Sequence, residues 1–398
     1  MRPTIEVVQK WTEEIQRHFP ALSRPQVAVL AEASFALMTV GQWGLDLMSE
    51  FLSALYNQPV STVRSRLHEW YCEAQAKKGE HRQTLDVQEC FAPLLQWVCE
   101  LAASGRHELA LALDASTVRD RLTIVCVSVL AGGGAIPVAW KMLVGNTPGA
   151  WKPHWQALLQ TVSAAIPEDW FVVVTADRGL YASWLFEAIQ ANGWHPLLRI
   201  NSSGFFQPED ASSWQPLSSV VEEPGQHWTG RCTCFKTSPL ACTLVATWGE
   251  EYADPWLFVS DLAPNEAEAW WYGLRSSIER GFRDTKRGLF QWHRARVTDP
   301  ARAERMWLII AVATLRFTAI GTQPTPSASQ NMTAFPPSRS ISLLRRGMVM
   351  FLAALVLSLS CPDGGWHDPM NPETAWFRKP VVEISSSVQD DSPPILPP

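Results

Sequence analysis

The middle of this chain is predicted to form an α/β fold on a mixed sheet, and three observations predict it. Apolar, strand-like runs recur between residues 108 and 200: "ELALALD", "RLTIVCVSVL", "AIPVAWKMLVG", "FVVVTAD" and "WHPLLRI". Two helix-period segments, "WKPHWQALLQTVSAAI" and "LYASWLFEAIQANG", alternate with the last of these runs. The resulting order (three strands, helix, strand, helix, strand) is that of helices layered on a mixed sheet. With 398 residues, 46% hydrophobic and 18% charged, the chain can bury a substantial core and is not disordered.

Taken in order, residues 1–105 read as a helical N-terminal domain. "LSRPQVAVLAEASFALM" opens with Ser23 as an N-cap and Pro25 in the first turn. "NQPVSTVRSRLHEWYCEA" reads as a turn, a Ser61 cap and a helix with Val63, Leu67 and Trp70 on one face. Arg64 and Arg66 lie off that face, so the segment suits a helix-turn-helix DNA reader or a small bundle with solvated arginines. Residues 106–200 hold the first part of the α/β core, where "AGGG" joins the second and third strands as a hairpin. Asp114 and Asp177 each close an apolar run and are followed by turn-like residues, "DAST" and "DRGL". Residues 201–260 carry Ser, Pro, Trp and short strands such as "ACTLVATW" and "PWLFVSDL", as a β-rich insertion would. Residues 261–321 resume the core with two helices. A Pro/Ser-rich linker (322–340), a helical C-terminal segment (341–375) and a disordered tail (376–398) complete the chain.

Composition excludes several classes. A net charge of −6 argues against a chain that coats nucleic acid non-specifically. The eight cysteines form no CxxC pair, and Cys232 and Cys234 have no partner at zinc-finger spacing. A zinc site is therefore not expected, and the thiols are read as structural, in a reducing cytoplasm. The N-terminus has no apolar signal-peptide region, and "GMVMFLAALVLSLS" is short against the roughly 20 residues of a bilayer span. A buried helix and no membrane association are expected.

The ends of apolar strands are where ligands and catalysis gather in α/β sheets, so Asp114 and Asp177 are candidate catalytic acids. Neighbouring strands would let them share a hard divalent ion, Mg²⁺ or Mn²⁺, which takes oxygen ligands. A two-metal phosphoryl-transfer site calls for a third acid, and Glu279 in "YGLRSSIERGFRDTK" is the candidate. At about 100° per residue, Tyr272, Arg275, Glu279, Arg283 and Lys286 fall within an arc of about 80°. Trp271, Leu274, Ile278, Phe282 and Leu289 gather on another sector, facing the core. Between residues 275 and 305 nine Lys/Arg stand against four acids, a local excess of five positive charges in an acidic chain. Such a block, with Arg283 and Arg287 in it, suits a phosphate backbone entering a metal site.

The spacing Tyr272, two residues, Arg275, three residues, Glu279, six residues, Lys286 resembles the Y-(2)-R-(3)-E-(6)-K signature of the IS4-type DDE transposases of bacterial insertion sequences. "LALDAS" and "VTADRG" strengthen the resemblance, which covers about residues 108–320. It implies an RNase H-like catalytic core interrupted by the β-rich insertion, with Asp114, Asp177 and Glu279 as catalytic ligands of two Mg²⁺ or Mn²⁺ ions. Tyr272, Arg275 and Lys286 would bind the phosphates of the element ends. Arg283, Arg287, Arg64 and Arg66 are further DNA-binding candidates. The implied activity is cleavage and strand transfer of double-stranded DNA, at terminal inverted repeats and target, by a homodimer in a bacterial cytoplasm. Relatives form hairpins with a Trp of the insertion stacked on a flipped base, and Trp214, Trp228, Trp248 and Trp256 all qualify. Two departures stand beside it: residues 1–80 hold eight Lys/Arg and nine Asp/Glu, and an intact triad does not establish turnover. An RNase H-like nuclease without strand transfer and an inactive transposase-derived DNA-binding protein are the alternatives. A glycosidase could use paired carboxylates but leaves the Tyr/Arg/Glu/Lys face unexplained.

Overall fold

The computed structural model describes residues 3–80, 82–102, 107–118, 121–131, 134–147, 149, 151–250, 252–267, 281–284, 287–323 and 342–357. Five helices lead the chain: α1 (Pro3–His18), α2 (Arg24–Val40), α3 (Leu45–Tyr56), α4 (Val60–Glu69) and α5 (Phe91–Ala102). The core follows as β1 (Glu108–Val118), β2 (Leu122–Ala131), β3 (Gly134–Val144), α6 (Lys152–Ser163), β4 (Phe171–Ala176), α7 (Ser183–Gln190) and β5 (His195–Ile200). Then come β6 (Phe205–Pro208), β7 (Gln215–Pro216), β8 (His227–Cys234), β9 (Leu240–Thr247) and β10 (Trp256–Ser260). Helices α8 (Pro300–Thr322) and α9 (Leu343–Val356) close the described chain.

All ten strands join one sheet in the order β3-β2-β1-β4-β5-β10-β9-β8-β6-β7. β1, β4 and β5 run parallel, while β2 and β3 fold back antiparallel against β1. This is the α/β mixed sheet that the strand order predicted. The parallel strands are joined through α6 and α7, since a parallel return needs a crossover. The strands of residues 201–260 extend this sheet: β10 pairs antiparallel with β5, and β9 and β8 continue outward.

Sequence explains most of the helix ends. The side chain of Gln26 accepts a hydrogen bond from the Ser23 N–H at 2.8 Å, closing the start of α2 as expected. Asp299 caps α8 by accepting from the Arg302 N–H at 2.8 Å, with Pro300 next to it. The Ser61 cap is a correction: α4 begins at Val60, with extended Pro59 in the cap position and no side-chain cap.

Helix α8 is the centre of the helical layer. It is long and apolar enough to cross a membrane, yet its apolar window is wholly buried within the protein, as a core helix is. It packs on β3, α2 and α9. Against α9 the backbones approach so closely that a Cβ on Gly321 would overlap Leu343, and one on Gly347 would overlap Phe317. Phe351 of α9 meets Phe35 and Phe317 edge-on, with ring centroids 5.7 and 5.6 Å apart. The apolar run near residue 350 is thus a helix that buries one face, with Gly347, Met350, Phe351 and Ala354 inside, and leaves Val356 at its end exposed.

Candidate active site

The site begins with strand register. β1 and β4 pair in parallel from Glu108↔Phe171 to Leu113↔Ala176. The next residue on each strand is Asp114 and Asp177. Two carboxylates therefore leave the sheet at the same height, on neighbouring strands whose backbones lie about 4.8 Å apart. Both are half-buried. One expectation is corrected: Asp114 does not end its strand. β1 runs on to Val118 because β2 continues to pair with it, Asp114 lying opposite Cys126. Only the parallel pairing stops there, since β4 ends at Ala176 and turns.

That turn is built by Asp177 itself. Its Oδ1 accepts from the Arg178 N–H at 2.8 Å, and its carbonyl accepts from the Leu180 N–H at 2.8 Å. A further contact is a cation: Arg199 Nη1 of β5 lies 3.8 Å from Asp177 Oδ1. Arg199 also sits under the Trp256 ring of β10, 5.5 Å from its centroid, and Tyr252 packs on that ring at 4.2 Å. Arg199 went unnoticed in the sequence, although a single charge inside the apolar run "WHPLLRI" is its signal.

Glu279, Tyr272, Arg275 and Lys286 lie outside the described residues. Around them, residues 281–284 are helical. Phe282 is buried and Arg283 is exposed, as the two sectors of the helix require, while Leu289 is buried in a bend beyond the helical residues. Gly281 approaches β3, where a Cβ would stand 3.0 Å from that of Ala135. Arg287, Arg294, Arg296 and Arg302 are exposed as well. Arg305 is not part of that surface, which corrects the charge block. Its guanidinium is buried, donates to the carbonyls of Leu85 and Tyr71 at 3.1 and 2.9 Å, and pairs with Glu73. Burying it anchors α8 to the connection between α4 and α5.

The α3–α4 unit is helix, turn, helix. Asn57 takes the left-handed conformation at the end of α3 with φ of 55°. Val63, Leu67 and Trp70 are buried, whereas Ser61, Thr62, Arg64 and His68 face outward. Arg64 is exposed and pairs with Asp46 of α3 at 2.6 Å. Arg66 is held by Glu32 of α2 at 2.8 Å, where burial pushes the Glu32 carboxyl up and Arg66 pulls it back.

The four tryptophans of residues 201–260 differ in setting. Trp228 packs edge-on against Phe206 at 5.6 Å and covers Gly230. Trp248 donates from its indole to the Tyr252 carbonyl at 2.9 Å. Trp214 is half-buried. Trp256 alone of the four is linked by a described contact to a neighbour of Asp177.

The donors at this strand end are carboxylate oxygens, the chemistry a hard divalent ion takes, and their level placement lets one ion reach both. Comparison with known proteins adds to this geometry. Residues 152–316 match the family model of the transposase DDE domain, a span that takes in Asp177 and Glu279 and begins after Asp114. No curated protein matches the chain significantly. A cryo-EM structure of piggyBac transposase in a synaptic complex with hairpin DNA superposes at a TM-score of 0.35 and 11% identity. It covers 89% of this chain and 78% of that one, a likeness too slight to bear on function. The family match supports a DDE transposase.

Proposed function

We propose that the protein is an IS4-type DNA transposase that binds the ends of an insertion sequence, cuts them and joins them to target DNA. The observation that carries this reading is the level placement of Asp114 and Asp177 at the end of the parallel β1–β4 pairing. With Glu279 they would hold Mg²⁺ or Mn²⁺, two ions in the proposed site. Bound there, such ions activate the attacking oxygen and neutralise charge on the phosphate.

The chain's own side chains do the rest. Asp114 and Asp177 are oriented by the sheet, and Asp177 is further set by its turn. Arg199, beside Asp177, can meet a non-bridging phosphate oxygen and keep the scissile group in place. Tyr272, Arg275 and Lys286 act as phosphate clamps, and Arg283 and Arg287 extend that surface. Trp256, on Arg199, is the proposed stacking surface for an unpaired base if a hairpin forms. The exposed face of α4, with Arg64, is the proposed end-reading surface, and two copies of the chain would pair two ends.

The test incubates the full chain and Mg²⁺ with duplex carrying the inverted repeats that flank its gene. Cleavage at the repeat ends together with joined products is expected. Cleavage without joining favours a nuclease, and binding without cleavage favours an inactive DNA-binding descendant. Normal cleavage by Asp114→Ala, Asp177→Ala or Glu279→Ala would sink the assignment.

A further inference from the structure

A second donor cluster lies on the outer half of the sheet, away from the carboxylates. β8 and β9 pair antiparallel with Cys232 directly opposite Cys242, and Cys234 is two residues on, on the same face. The three sulfur atoms lie within 4.8 Å of one another, and those of Cys232 and Cys234 are 3.6 Å apart. All three thiols are buried and none is in a disulfide. We infer that Cys232, Cys234 and Cys242 form a binding site for a thiophilic divalent d¹⁰ cation of the Zn²⁺ class.

Geometry and charge both favour that occupant. Zn–S bonds of about 2.3 Å place ligand sulfurs about 3.8–4.0 Å apart in tetrahedral or trigonal sites, so small side-chain shifts close the cluster on an ion. Three thiolates around a divalent ion leave one net negative charge. Around a monovalent ion they would leave two, a worse burden in a dry site. Thiolate donors also reject Mg²⁺ and Mn²⁺, which sets this site apart from the carboxylate site.

Binding requires the three thiols to give up their protons to solvent. The site also touches the active-site side of the fold. Tyr181, four residues past Asp177, packs on Phe235, the residue after Cys234, with ring centroids 5.0 Å apart. An ion would tie β8 to β9 beneath that loop.

The test titrates the reduced full-length protein with Cd²⁺ in the presence of excess Mg²⁺. One Cd²⁺ per chain is expected, with the ultraviolet sulfur-to-cadmium charge-transfer absorption that carboxylates do not produce. Cys242→Ser and Cys234→Ser should lose that absorption and lower Cd²⁺ and Zn²⁺ affinity by more than the roughly 10–100-fold that a supporting partner alone costs. Cys126→Ser, in β2, should retain both. X-ray absorption at the cadmium edge of the unmutated protein should count three sulfur neighbours and does not depend on any variant folding. No stoichiometric binding, or fewer than two sulfur neighbours, would overturn the site and leave the three thiols as packing.

Discussion

Where β1 and β4 run parallel, Asp114 and Asp177 stand level because each follows the last paired residues, Leu113 and Ala176, where β4 ends and β1 continues. Where β8 and β9 run antiparallel, Cys232 and Cys242 face each other because a hairpin folds one strand back along the other. The first arrangement presents two half-buried oxygen donors to solvent at a strand end. The second encloses three sulfur donors against the body of the sheet. On the proposed reading, one sheet holds oxygen donors for a hard ion at an open strand end and sulfur donors for a soft ion in its closed interior. Parallel pairing concentrates strand ends, where chemistry is accessible, and antiparallel pairing concentrates strand interiors, where cross-linking is effective.

The largest test of that contrast is loss of the oxygen donors. Asp114→Ala or Asp177→Ala should reduce Mg²⁺-dependent cleavage by about 10³-fold or more, since several kcal/mol of charge stabilisation disappears at about 1.4 kcal/mol per decade. The Cd²⁺–thiolate absorption should survive in both variants. A joint loss would show that the two sites are one cooperative unit.

Next in size is the helical layer. Gly347→Ala pushes a methyl group into the Phe317 backbone across the α8–α9 crossing. It should destabilise the fold by about 1–3 kcal/mol in urea unfolding, the usual cost of overpacking. Because α8 lies against β3 and not against β8 or β9, thiol-site affinity in the folded state should be unchanged.

Trp256→Ala should weaken hairpin formation by about 1–3 kcal/mol, the size of a base-stacking contact, while Trp228→Ala should not. Gel assays that separate nicked from hairpin ends would read the difference. Equal effects from both would remove Trp256 from its proposed role.

The smallest expected effect is acid sensitivity at His18, far from either donor set. Its ring is stacked on Trp97 at 4.2 Å, and burial, helped by Arg17, holds it down to about 4. The unfolded ring titrates near 6.5, so between those values the unfolded chain binds more protons. Stability should be full above about pH 6.5 and fall by about 1–2 kcal/mol as pH drops towards 4. His18→Gln should flatten that slope in thermal melts followed across the range.

How much of this was legible beforehand varies by residue. Asp114 and Asp177 could be read as a pair because each follows a run of apolar residues long enough to be a strand, and strand ends are few. Phe282 and Arg283 could be assigned to opposite sectors because helical period is a local property. Arg305 could not be separated from its basic neighbours, since its burial depends on Leu85, Tyr71 and Glu73, more than two hundred residues earlier. Arg199 could not be placed either, since Trp256 comes beside it only through the pairing of β10 with β5.

By itself the sequence determined the α/β class, the apolar runs that lead to the acids and the helix periods, because those follow from local hydrophobic pattern. Only the tertiary structure decided which strands are neighbours: that β4 stops where β1 continues, that Arg199 meets Asp177, and that Cys242 lies opposite Cys232. The physical reason is that register is set by pairing between distant segments and by the faces that pairing buries, and no spacing along one chain encodes it.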